Sequence, residues 1–153
     1  MATDSPMHTL IDLTKNQADE AARQLQTITA SRNSAQEQLS TLHIYRQDYV
    51  DRFEKATAEG MSAANYHNFR QFIATLDEAI SQQNTLVAQL DQKLEQGKQR
   101  WFDQKRQLTS YETLLSRQEV ERQRQSNRKE QLLNDEMSIH QFRRHQTQSR
   151  GNG

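Results

Sequence analysis

Between Pro6 and Gly151 the chain contains two residues that disfavour regular helix, Gly60 and Gly97, and no further proline. A sheet protein needs glycine and proline at its turns, and a compact bundle needs them at its helix ends. A stretch this long with one central breaker and one further glycine has few options beyond two long helices. The 153 residues hold 33% hydrophobic and 7% aromatic side chains, with 22 glutamines and 26% charged residues. That supply fills a narrow apolar seam and leaves a multilayer core out of reach.

The apolar residues fall on that seam. From Ile11, alternating steps of three and four residues pass through Thr14, Ala18, Ala21, Leu25, Ile28, Arg32, Ala35, Leu39, Leu42, Arg46, Tyr49, Phe53 and Ala56. Eleven of these 14 positions are apolar or aromatic, the heptad pattern of a coiled coil. A second ladder runs through Tyr66, Phe69, Ile73, Leu76, Ile80, Gln83, Val87, Leu90, Leu94, Gly97, Trp101, Gln104, Leu108, Tyr111 and Leu115, with 12 of 15 positions apolar or aromatic. Ser5-Pro6 is a helix-start signal, Gly60 suits the left-handed position that ends a helix, and Ser62 can cap the next one. A connection this short makes the arms antiparallel.

The predicted fold is therefore all-α: a long antiparallel two-helix coiled-coil hairpin with a C-terminal helical overhang, forming a single domain over residues 1–153. Helix one covers about 6–58, the bend about 59–64, helix two about 65–145, and a disordered tail about 146–153. Folding back at residue 61 pairs positions whose numbers sum to 122, and both ladders obey this. Arg32 then faces Leu90, Arg46 faces Leu76, Gln83 faces Leu39 and Gly97 faces Leu25. At ~1.5 Å per residue the paired part is a rod of roughly 70 Å. Leu115 pairs with Met7, so later residues lack a partner in the hairpin. Residues 116–131 carry one apolar side chain, Val120, and read as a solvated helical spacer. Leu132, Leu133, Met137, Ile139 and Phe142 then resume an apolar stripe.

Chemistry-bearing motifs are missing from the sequence. There is no cysteine, and glycines at 60, 97, 151 and 153 cannot build a phosphate-cradling loop. The histidines His8, His43, His67, His140 and His145 have no zinc-protease spacing and read as solvated helix residues, and Asp19-Glu20 and Asp77-Glu78 as hydrated carboxylates. No catalytic residue, metal site or cofactor is expected, and no membrane span or signal peptide. Lys+Arg and Asp+Glu are both 20, so net charge gives no reason to expect a general polyanion binder. Residues 116–153 are nonetheless basic, with 8 Lys and Arg against 5 Asp and Glu.

Two features remain. Near the bend, Gln38, Leu42, Tyr45 and Tyr49 on one arm and Phe72, Leu76, Ala79 and Gln83 on the other share i, i+4, i+7, i+11 spacing. Tyr45 and Phe72 stand beside the seam, where a two-stranded coil leaves side chains wet, so they should add an exposed apolar patch. A seam that simply widens before the bend is the plainer alternative, but Tyr and Phe are large, rigid anchors of the kind that dominate interfaces, which favours docking of a partner. The second feature is the overhang with Arg117, Arg122, Arg124, Arg128, Lys129, Arg143 and Arg144, interrupted by acids. A solvated face explains it most simply, a nucleic-acid arm is the weaker reading, and its alternating charge suits insertion into a charged ring or cleft.

Over most of its length the sequence resembles the flagellar export protein FliJ family. The likeness lies in Leu10-Ile-Asp-Leu13, Asp19-Glu-Ala-Ala-Arg23, Gln36-Glu-Gln-Leu39 through Leu42, Tyr45 and Tyr49, and Asn68-Phe-Arg-Gln-Phe-Ile-Ala-Thr-Leu-Asp-Glu-Ala-Ile80 with Gln82-Gln83. The resemblance implies a non-enzymatic stalk of the type III export apparatus of the bacterial flagellum, cytoplasmic and peripheral at the inner face of the cytoplasmic membrane. It implies three partners: an export ATPase hexamer entered by the paired terminal helices, a membrane export-gate protein, and export chaperones. It also implies that Gln38, Leu42, Tyr45, Tyr49, Phe72, Leu76, Ala79 and Gln83 meet the gate; Gln83 stands where the family pattern has histidine. Contacts to the ATPase or chaperones fall on the region Arg117–Arg144. The rival readings are the equivalent stalk of a virulence secretion system, a general coiled-coil holdase and a nucleic-acid tether.

Overall fold

A computed structural model describes residues 6–151. It is all-α: α1 covers Pro6–Glu59 with 54 residues and α2 covers Ala63–Arg150 with 88, packed against each other as a helical hairpin. Pro6 opens α1, where its missing N–H costs nothing. Ser5, the expected cap, lies outside the described residues.

The break between the helices is three residues long. Gly60 adopts φ of 94°, which a side chain would oppose, and its N–H donates to the Thr57 carbonyl at 3.3 Å. Ser62 then starts α2. Its Oγ accepts from the Asn65 N–H at 3.2 Å and its carbonyl accepts from the Tyr66 N–H at 3.0 Å. The cap brings α2 in at Ala63, two residues before the expected start.

The chain packs as two units, Leu13–Arg106 and Met1–Asp12 with Gln107–Gly153. In the first, Ala35, Leu39, Ile80 and Val87 form a buried cluster with Leu42 and Leu90 against it. Along this unit every ladder position is buried or half-buried except Tyr66, which is 41% exposed at the mouth of the bend. The cross-helix partners follow the expected register. Phe53 meets Phe69, and Gly97 lies where an added Cβ would sit 3.4 Å from Leu25, both pairs summing to 122. In the second unit Ile11 and Leu108 are buried, and Met7, Tyr111 and Leu115 are half-buried.

Helix α2 continues past its expected end near 145. The composition of 146–153 predicts a disordered tail; instead the helix holds to Arg150, and only Gly151 of the described residues follows it as a turn. Thr147 Oγ1 donates to the carbonyls of Arg143 and Arg144, and Ser149 Oγ to that of Gln146. These residues form helix once the preceding turns have supplied the nucleus, since adding a residue to a helix is cheap and starting one is not.

Candidate functional site

The eight residues beside the bend come together within the unit Leu13–Arg106, and burial sorts them into a floor and a rim. Leu76 is 8% exposed and belongs to the seam, so it supports the patch from beneath. Leu42, Tyr49, Ala79 and Gln83 are half-buried. Tyr45 at 59% and Phe72 at 43% stand out into solvent, and Gln38 is exposed beside them.

The two helices are joined across this floor by rings. The Tyr49 ring lies 4.2 Å from that of Phe72, tilted 36°, and 5.4 Å from Phe69. Phe53 continues the stack to Phe69 at 5.7 Å and to Tyr66 at 5.3 Å. Offset ring pairs of this kind are worth about 0.5–1.5 kcal/mol beyond the area they bury. Phe72 is therefore held in place by Tyr49 while much of its ring stays wet, an anchor that a partner can cover with little ordering cost.

At the far end of the patch the floor turns polar. Gln83 Nε2 donates to the Ala35 carbonyl at 2.9 Å and to Gln38 Oε1 at 3.2 Å, so a seam glutamine finds its partners on the opposite helix. Two shallow open grooves run on from this pair. One is lined by Ser34, Glu37, Gln38, Thr41, Leu42 and Gln83, the other by Ala30, Ser31, Ser34, Gln38 and Leu86 among others. Leu86, 41% exposed, belongs to neither the expected ladder nor the expected patch. Its place one residue before the seam position Val87 was the available signal.

A second omission is the pair of ion bridges across the seam. Arg46 Nε bonds Asp77, and Arg32 Nε donates to Asp91 Oδ1 at 2.8 Å. The hydrogen bond to Asp77, then its negative charge, raises the Arg46 pKa above its ordinary value. The register alone set these arginines opposite Leu76 and Leu90. Each instead reaches the aspartate one residue further on.

The basic residues of α2 occupy the other unit. From Ser116 to Gly151 every described residue is exposed, including Arg117, Arg122, Arg124, Arg128, Lys129, Arg143 and Arg144. Arg122 pairs with Glu119 at 2.6 Å and Arg124 with Glu121 at 3.9 Å, both within one helical turn. Such exposed pairs contribute a few tenths of a kcal/mol to helix stability. Val120, Leu132, Leu133, Met137, Ile139 and Phe142 are also more than half exposed, so charge and apolar surface alternate along an open helix. Among the described residues no helix is long and apolar enough to cross a membrane.

The family described as "Flagellar FliJ protein" matches residues 3–147. The chain is 31% identical over 138 residues to the Flagellar FliJ protein of Salmonella typhi, covering 90% of this chain and 94% of that one. It is 30% identical over 138 residues to the Flagellar FliJ protein of Escherichia coli strain K12, with the same coverage.

Proposed function

The chain belongs to the flagellar FliJ protein family, a family of flagellum biogenesis and protein export, and from that premise we propose that it is a non-enzymatic stalk that links two parts of the export apparatus. The patch of Gln38, Leu42, Tyr45, Tyr49, Phe72, Leu76, Ala79 and Gln83 binds the membrane export-gate protein. The overhang with Arg117, Arg122, Arg124, Arg128, Lys129, Arg143 and Arg144 contacts the export ATPase hexamer, promoting its assembly and activity, and receives export chaperones. The protein works in the cytoplasm and is peripheral to the membrane, held there through the gate.

The observation that carries this reading is the exposure of Phe72 and Tyr45 on the two helices of the patch. Both remain open although Tyr49, Phe53 and Phe69 in the same segment are half-buried. An aromatic ring held by Tyr49 and exposed on its other side, as Phe72 is, suits an interface hot spot. The overhang has the opposite character. Its many exposed charges make contacts that are individually weak, so a helix lodged in a charged ring can exchange them as subunits change state.

The test is binding of purified full-length protein to the cytosolic part of the export gate. Tyr45→Ala with Phe72→Ala should weaken binding at least tenfold while the circular dichroism spectrum stays helical. Unchanged affinity in a helical double variant would dismiss the patch as the gate contact.

A further inference from the structure

Heptad ladders have a weakness: sliding one helix by seven residues sets apolar positions against apolar positions again, so the ladder alone does not choose among registers. The bend fixes the register locally through Gly60 and Ser62. Further along, the seam's polar residues discriminate. Arg32–Asp91 and Arg46–Asp77 are spaced by 14 residues on both helices, and both pairs sum to 123. A slip of one heptad in one direction would bring Arg46 to Arg70 and Arg32 to Asn84; in the other it would bring Arg32 to Lys98 and Arg46 to Asn84. Either slip breaks both bridges and sets one arginine against a cation. Gln83 agrees, because its Gln38 partner is found in this register alone.

We infer that Arg32, Asp91, Arg46 and Asp77 are positioning residues that select one helix register out of the heptad-related set, and so decide whether the two halves of the patch meet. Tyr49 and Phe72 stand on different helices, and a slip of seven residues would set Tyr49 against Asn65 or Ala79 instead. The four side chains are between 32% and 51% exposed, so their contribution to overall stability is small. Their effect lies in discrimination, where like charges replace opposite ones. A polar group at a seam position specifying register is the best-attested use of such residues. The inference concerns register and stands whether or not the patch binds the gate.

The test uses the full chain, whose lack of cysteine allows labels at chosen positions. Spin labels at Ser31→Cys and Lys93→Cys, both exposed, report the register just past the Arg32–Asp91 bridge, on its side away from the bend. Four glycines inserted after Met61 loosen the bend, so that the seam must hold the register unaided. With the bridges intact, the loosened protein should keep the single distance of the parent. With Arg32→Asp and Arg46→Asp it should gain a population in which one helix is displaced by about 10 Å, seven residues of helical rise, because the new aspartates then meet Lys98 or Arg70. Adding Asp77→Arg and Asp91→Arg should return the single parental distance. A single unshifted distance in the Arg32→Asp, Arg46→Asp protein, or no recovery on completing the swap, would overturn the inference. If the reversed variant loses its helicity, Arg32→Gln with Arg46→Gln takes its place: a broadened distance supports selection and an unchanged one overturns it.

Discussion

Gly97 offers a measurable check on how the helices pack, because it is a glycine inside a helix that makes no turn. The residue is buried, and a Cβ added to it would stand 3.4 Å from Leu25 Cδ1 and 3.5 Å from Ile28 Cδ1. Those are ordinary van der Waals distances, so Gly97→Ala fits without moving its neighbours. Alanine in a helix interior is favoured over glycine by about 0.8–1.0 kcal/mol, and the methyl group adds up to about 0.8 kcal/mol if fully buried. Gly97→Ala should therefore stabilise the protein by about 1–2 kcal/mol. For a chain of this size that is a rise in Tm of about 2–8 °C. Urea unfolding followed by circular dichroism at 222 nm should show a higher midpoint with an unchanged slope, the mark of a stability change without a change in the surface exposed. A larger side chain has no such room, since Leu25 and Ile28 already close the site, and Gly97→Leu should cost about 1–3 kcal/mol through overpacking. A lower midpoint for Gly97→Ala would refute the reasoning, because it would mean that the helices approach more closely here than contact distance.

Gln104 occupies a seam position with its Oε1 buried and without a hydrogen-bond partner. Gln104→Leu should remove that penalty and raise stability by about 1–2 kcal/mol in the same unfolding assay. Ser62→Ala removes the acceptor for the Asn65 N–H and should cost about 1 kcal/mol. Ending the chain after Leu115 removes a segment in which every described residue is exposed, so the hairpin's thermal midpoint should barely move while stimulation of the export ATPase, measured as phosphate release, is lost.

The seam was legible because helical periodicity and burial report the same thing. Each ladder residue from Ile11 to Ala56 is buried or half-buried, down to Thr14 at 2% exposed, a polar side chain that the period placed inward against its chemistry. The register was legible because Gly60 leaves one place to fold back. What the pattern could not supply was side-chain reach. It treats residues at equal height as partners, whereas Arg32 and Arg46 are long enough to pass the facing leucines and find Asp91 and Asp77. The exposure of the patch was legible in the same way: the ladder puts Leu76 in the seam and sets Tyr45 and Phe72 beside it, and packing buries the first and leaves the other two exposed. The end of α2 was not legible because the Gln, Ser and Gly content of 146–153 suggests disorder when taken alone, whereas a helix already formed extends through such residues at little cost.

The central claim is that different segments of one chain serve different partners, and a three-component assembly tests it directly. The export ATPase, the gate's cytosolic part and this protein would be mixed and separated by size, with each component quantified. The full chain should carry both partners in one peak. Tyr45→Ala with Phe72→Ala should lose the gate and keep the ATPase, while the chain ending after Leu115 should lose the ATPase and keep the gate. Loss of both partners from either variant while it remains helical, or of neither, would contradict the account.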